Sequence, residues 1–370
     1  MVLRQIDLQN FRLHKYTSLE FSDKLNLIIG GNGQGKTSIL EAIYYLCTTK
    51  SLNLAAESDV VTLGENYFDA RGSFRGLTKN STKIYYDSTK NKKSFFVDDK
   101  QVFNSSSVIG KFPIVSLIQS DHAITLGAPS DRRRFVDSVI SQASHTYLEV
   151  LLDYNKILRQ RSSLLAQIKE LRDQKLYKQL DVWTESLITT GAEIIKHRQR
   201  FVEEFNFYLH KAYNNIIENK EEPLIGYEPL KVVTEDNATE KLREEINEVR
   251  EEELRRATNL VGPHRDDFIF SINDLELKRF GSQGQHKTFQ IALRFAQFFF
   301  IKEKLGKTPI FLMDDIFGEL DAYRAGRISE YMGKIGQAFI TMTDLTKTDS
   351  LNIKDENILI KVNNGTAAIA

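Results

Sequence analysis

Three short stretches combine residue types in a pattern suited to phosphate chemistry. Gly30-Gly31-Asn32-Gly33-Gln34-Gly35-Lys36-Thr37-Ser38 fits G-x-x-x-x-G-K-[ST], with Gly30, Gly35, Lys36 and Thr37 at the fixed positions. The glycines let backbone N–H groups turn toward phosphate oxygens, and the dipole of a following helix adds to the attraction. Lys36 is expected to reach the β- and γ-phosphates, and the Thr37 hydroxyl to ligate Mg2+. In "PIFLMDDIFGELD" (309–321), apolar residues Ile310 to Met313 run straight into Asp314 and Asp315. Two acids ending a buried strand are costly unless a cation or a water chain satisfies them. Asp314 is the expected metal partner, and Asp315 the group that orients or deprotonates an attacking water. The third stretch, Ser282-Gln283-Gly284-Gln285, opens a long apolar helix with a hydroxyl, a glycine N–H and a helix N-terminus. That is a second anion site, or an ordinary Ser/Gly helix cap.

These residues need elements to hold them. "LNLII" (25–29) reads as the strand that delivers the phosphate loop. "KTSILEAIYYLC" (36–47) reads as the helix it opens, with Ile39, Leu40, Ile43 and Leu46 on one face. "LRQIDLQNF", "YFDARGSF", "TKIYYD", "KSFFV" and "FPIVSLI" read as further strands, with a turn in "VDDKQV". Residues 131–220 contain no proline and one glycine, Gly191, so they read as helical. There Tyr147, Leu151, Tyr154, Leu158, Leu165 and Ile168 form a heptad-like seam interrupted by Arg161, either a bundle core or a protruding arm. "EPLIGYEPL" (222–230) breaks the helices, and the charges of 239–258 predict a helix with a solvated face. "DFIFSI" and "LELK" predict a hairpin, and "QAFITMTD" one more strand. The order predicts an α/β fold in three pieces. Residues 1–120 and 261–370 are expected to form the two halves of one α/β lobe, and 121–260 a helical insertion.

Lys+Arg and Asp+Glu are both 50, so a nucleic-acid site must be a local patch and not a general basic charge. Cys47 is the one cysteine, which excludes an intramolecular disulfide and fits a reducing compartment. The N-terminus lacks the apolar core of a signal peptide, and no apolar run is long enough for a bilayer. A cytoplasmic protein without a membrane segment is expected.

Asp315-Ile316-Phe317-Gly318 and Thr346-Lys347-Thr348-Asp349 imitate GTPase motifs, but small GTPases keep their acidic motif close to the phosphate loop. The wide separation resembles instead the ATPase heads of the ABC superfamily, which split around an inserted arm. In that light Ser282–Gln285 resembles the signature motif, which closes over the γ-phosphate of a second subunit. The two loops then predict an ATP-sandwiched homodimer. The same resemblance suggests Gln119 beside Mg2+ and water, or as a plain loop glutamine. It gives Glu319-Leu320-Asp321 as the loop that touches the partner subunit. Arg12 is the counterpart of an arginine that reaches the nucleotide, or a surface arginine. Thr343-Asp344 stand where transporters carry a sensing histidine, and none is present. Transporter ATPase subunits share these motifs and are the alternative reading.

"LQNFRLHKY", "PSDRRRFVDSVIS", "LVGPHRDDF", "GSQGQHKT" and "FLMDDIFGELD" occur in the order of the RecF family of the SMC/Rad50-like ABC group, and nearly the whole chain resembles it. The resemblance implies an ABC-type head (lobe I) with an inserted helical domain (lobe II). It also implies ATP and Mg2+ as cofactors, an ATP-dependent homodimer on double-stranded DNA, and work with RecR and RecO to load a recombinase at gaps. A weak, DNA-stimulated ATPase is expected, slow because Asp315 is a methylene shorter than glutamate. Arg132, Arg133 and Arg134 are candidate DNA contacts, or structural salt-bridge donors.

Overall fold

A computed structural model describes residues 1–52, 55–76, 78–217, 221–229, 237–343 and 356–370. The chain divides into two units. The first comprises Met1–Asp121, Lys211–Lys220 and Thr288–Ala370, and the second His122–His210 and Glu221–Lys287.

The first unit is built on two six-stranded sheets. One is antiparallel, in the order His14–Glu20, Val2–Phe11, Tyr67–Arg75, Lys79–Asp87, Lys92–Val97, Lys100–Val102. The other runs Thr366–Ile369, Ile358–Asn363, Leu25–Ile29, Ala338–Met342, Ile310–Asp314, Ile114–Leu117, and only its first strand is antiparallel to its neighbour. Helix Lys36–Thr48 shares one apolar core with both sheets. Ile39, Leu40, Ile43 and Leu46 cluster with Leu3, Ile6 and Phe68 and with Ile28, Leu312 and Phe339. This helix is therefore buried well beyond the single expected face, with Ala42, Tyr45 and Cys47 covered too. Five strands of this sheet run parallel and end at the same edge, where open α/β sheets bind ligands. Their C-termini deliver the phosphate loop, Thr341, Asp314 and the segment that leads to Gln119.

The second unit holds helices Pro129–Ala143, His145–Leu171, Ala238–Glu248 and Arg250–Arg256, with most of Gln174–Ile216. A three-stranded antiparallel sheet completes it, with Asp267–Ile272 between Leu275–Glu276 and Pro223–Glu228. The stretch expected only to break the helices is thus its edge strand. That pairing, with an Arg132–Asp267 ion pair, groups residues 261–287 with the helical unit and not with the ATPase half where the sequence placed them. The expected hairpins form with two positive-φ residues at each tip, Asp98-Asp99 and Asn273-Asp274, which is type I′ geometry.

The seam of helix 145–171 packs inside this unit. Leu164, Leu165 and Ile168 meet Leu180 of the next helix, with Trp183 and Leu254 against them. Arg161 does not interrupt the row. It lies in step with Tyr147, Tyr154 and Ile168 at heptad spacing and is 1% exposed. Its guanidinium donates to Glu253, Asn259 and the Thr184 hydroxyl. The helix expected at 239–258 breaks at Val249, and Glu245 and Glu253 on it are buried rather than solvated. Removing one member of such a buried network leaves an unpaired charge and is strongly destabilising.

Candidate functional site

The strand Leu25–Ile29 is buried and its next residues turn at once into the loop, where Gly31, Asn32 and Gly33 are exposed. Gly35 takes φ 108°, a conformation closed to side-chain-bearing residues, and starts helix Lys36–Thr48. The Lys36 ammonium donates to the Gly30 and Gly31 carbonyls at 2.8 Å each. It thus lies folded over the loop that it would serve. The Thr37 hydroxyl is 2.9 and 3.0 Å from the two carboxylate oxygens of Asp314. Residues far apart in sequence therefore place a hydroxyl and a carboxylate at one point. All are hard oxygen donors, which suits Mg2+. The loop's N–H groups, Lys36 and the helix N-terminus suit a triphosphate. The residues present fit both groups.

Sequence reasoning missed Thr341, at the end of strand Ala338–Met342. Its hydroxyl donates to Asp314 Oδ1 at 2.7 Å and accepts from the Asp315 N–H at 2.9 Å, so it fixes both acids. Nothing in "QAFITM" marks it, because the role comes from parallel pairing of the two strands. Asp315, just past the end of strand Ile310–Asp314, takes φ 51°, a left-handed conformation sparsely populated outside glycine. Gln119 opens a short turn whose Asp121 accepts from the Ile118 N–H and binds Arg294 at 2.9 and 2.5 Å. That pair was not foreseen either. Leu320 is half-buried, and Asp321 caps helix Ala322–Met332 by accepting from the Arg324 N–H at 2.8 Å. Those contacts hold its carboxyl below the usual range, the backbone bond first. Glu319 closes the preceding 3-10 turn. Asp344 and Thr346–Asp349 lie outside the described residues.

The other expected residues are more constrained. Arg12 binds Glu41 through Nε and Nη2 at 2.8 and 2.9 Å and the Asp59 carbonyl through Nη1, and so braces the helix after the phosphate loop. Ser282 is exposed and forms a reciprocal cap. Its Oγ accepts from the Gln285 N–H at 3.2 Å, and its own N–H donates to Gln285 Oε1 at 2.9 Å. An accepting hydroxyl keeps its proton for another oxygen, so the cap and the anion-site readings are compatible. Helix Gln283–Leu305 follows, with Gln283 exposed and Gly284 half-buried in its first turn.

Of the three arginines at 132–134, two are engaged by residues of their own unit. Arg132 is 5% exposed and pairs with Asp267 at 2.8 and 2.7 Å. Arg133 donates to the Asp266 carbonyl, and burial followed by the nearby Arg198 pushes its guanidinium pKa down. Only Arg134 is exposed, with its own Asp131 at 3.3 Å. The stretches "SDRRRF" and "GPHRDD" thus bind each other.

The whole chain is similar to known proteins. Residues 2–367 match the family model described as RecF/RecN/SMC N terminal domain. The chain is 39% identical to the DNA replication and repair protein RecF of Chloroherpeton thalassium, over 97% of this chain and 98% of that one. It is 34% identical to the RecF of Salinibacter ruber, over 93% and 85% respectively. A solved structure described as the recombination mediator protein RecF with ATP in the RecFOR pathway matches with a TM-score of 0.90 at 30% identity, covering 100% of this chain and 97% of that one. An SMC head domain from Pyrococcus furiosus, at 13% identity and a TM-score of 0.57, shares the fold alone.

Proposed function

The chain belongs to the RecF family of ABC-type P-loop ATPase heads, and from that premise we propose that it is an ATP-gated homodimeric clamp on double-stranded DNA in recombinational repair. The observation that supports the reading is the Thr37–Asp314 contact, a hydroxyl and a carboxylate brought together beside the phosphate loop, and the exposed Ser282 is the group proposed to complete the site from a second copy. The loop from Gly30 to Ser38 binds the triphosphate of one subunit, and Lys36 exchanges its two carbonyl partners for phosphate oxygens. Ser282, Gln283, Gly284 and Gln285 of the second subunit close over the γ-phosphate, and Glu319, Leu320 and Asp321 line the same junction. Thr37, Asp314 and Gln119 would hold Mg2+, which would supply charge neutralisation for the triphosphate. Asp315 orients and deprotonates the attacking water. Its short side chain makes turnover slow, so hydrolysis times release of the dimer and does no mechanical work.

The finer role follows from relatives. A RecF with ATP described as a recombination mediator in the RecFOR pathway supports RecO- and RecR-type partners, and recombinase loading at gaps and stalled forks belongs to the same proposal. DNA stimulation of the ATPase belongs to the same proposal, as does a cytoplasmic location. Among the described residues no helix is long and apolar enough to cross a membrane. A transporter subunit is set aside because the match to RecF proteins runs the length of both chains. Binding of a labelled DNA duplex with and without ATP, across a salt series, tests the reading. ATP-dependent binding that weakens steeply with salt is the expected result. Equal binding with and without nucleotide would overturn it.

A further inference from the structure

A loop that aims its N–H groups at a phosphate must turn its carbonyls outward, and buried carbonyls need donors. Lys36 covers two of them, at Gly30 and Gly31. Two more, at Gln34 and Gly35, are met by groups from outside the loop. The Gly35 carbonyl lies 3.0 Å from His14 Nε2. The Gln34 carbonyl accepts from the Gly365 N–H at 3.0 Å, and the Asn364 N–H donates to the Gln34 side-chain oxygen. Gly365 sits at the tip of the hairpin that joins Ile358–Asn363 to Thr366–Ile369. Its φ is 75°, and a Cβ there would fall 2.1 Å from the Leu13 carbonyl oxygen, so only glycine fits.

We infer that His14 and the Asn364-Gly365 tip are positioning groups that hold the phosphate loop in its binding shape before nucleotide arrives. A carbonyl can only accept, so the His14 proton is on Nε2. Nδ1 then accepts from the Thr17 hydroxyl at 2.9 Å, and the Gly365 carbonyl, at 3.5 Å from that hydroxyl, is its longer alternative. His14 is fully buried, and burial holds its pKa below the ordinary 6.5, which keeps the ring neutral and the tautomer fixed. The seat is made before catalysis and touches no reacting atom. Its loss lowers the fraction of loops able to bind and leaves the chemistry intact.

The inference rests on the proposed ATP site, and two readouts separate them. In the full chain without nucleotide, selective nitrogen-15 labelling of histidine should show His14 as the Nε2–H tautomer; an Nδ1–H tautomer would overturn the seat whatever the ligand. In titrations with a fluorescent ATP analogue, His14→Leu should bind about tenfold more weakly, the order expected for one lost backbone-directed hydrogen bond. His14→Gln, which keeps an N–H donor, should recover most of it. At saturating ATP the turnover of His14→Leu should match wild type, so that KM moves and kcat does not. Should His14→Leu fail to fold, Thr17→Val carries the test through the lost tautomer lock, with the same direction of change. Wild-type affinity in the variant, or a kcat that falls as far as the affinity, overturns the inference. Absence of saturable binding by wild type overturns the ATP site itself, and Lys36→Ala serves as its control.

Discussion

Replacing Arg132 with alanine should unfold the helical unit more easily while leaving the salt dependence of DNA binding untouched. Arg132 is 5% exposed, makes two hydrogen bonds to Asp267 and donates a third to the Gly127 carbonyl at 3.1 Å. Removing one partner of a buried pair costs about 3–5 kcal/mol, chiefly through the charge left behind. Asp267 keeps 22% of its side chain exposed and can partly rehydrate, which brings the expected loss to about 2–3 kcal/mol. Trp183, the chain's one tryptophan, lies in the same unit beside Leu164, Leu165 and Ile168, so its fluorescence reports that unit's transition in urea. With a slope of about 2 kcal/mol per molar, the midpoint should fall by about 1–1.5 M. Asp267→Asn should fall in the same direction, and the double variant should lose less than the sum. A phosphate contact predicts the opposite pattern: an unchanged urea midpoint and a salt slope smaller by about 0.9. That result for Arg132→Ala would refute the inward-facing assignment. Arg134→Ala, on the exposed side, should leave the midpoint where it is.

Three further outcomes follow from the same geometry. Arg161→Met strands Glu253, itself 1% exposed, and should cost about 3–5 kcal/mol, whereas Arg161→Met with Glu253→Leu should recover most of that in the same urea assay. Thr341→Val removes the hydroxyl that fixes Asp314 and Asp315, so the Mg2+ concentration for half-maximal ATPase rate should rise at least about tenfold; an unchanged Mg2+ curve would remove Thr341 from the site. Burial, then neighbouring Arg265, Arg133 and Arg161, hold His264 down at about 4 from its ordinary 6.5. As pH falls below 6.5 the unfolded ring takes up a proton that the folded ring refuses, so stability declines down to about pH 4, by at most about 3 kcal/mol. His264→Gln should flatten that part of the stability–pH profile, and a profile that superposes on wild type would contradict the assignment.

The phosphate loop and the acidic strand were legible because their chemistry fixes residue types at fixed spacing. Strand ends carry such signals, and the order of strand, loop and helix confirmed the context. Groups that act through tertiary pairing left no such mark. Thr341 is one threonine among many until parallel pairing sets it against Asp314. Glu253 looks like part of a solvated face because Arg250 and Arg256, three residues to either side, are charged, yet its partner Arg161 comes from a helix far earlier in the chain. The strand Pro223–Glu228 has prolines at both flanks and only finds its pairing across Asp267–Ile272. His14 and Gly365 meet the loop only because the strand His14–Glu20 and the hairpin of the chain's last two strands converge there.

The central claim is that two copies of this chain share each triphosphate, and its most direct test is the mass in solution by light scattering at high protein concentration. With ATP and Mg2+ the wild-type chain should rise from 42.5 kDa to twice that mass. Lys36→Arg should stay monomeric for want of tight nucleotide binding, and Ser282→Arg should stay monomeric while still binding a labelled ATP analogue. Wild-type protein saturated with ATP and still at 42.5 kDa would contradict the account.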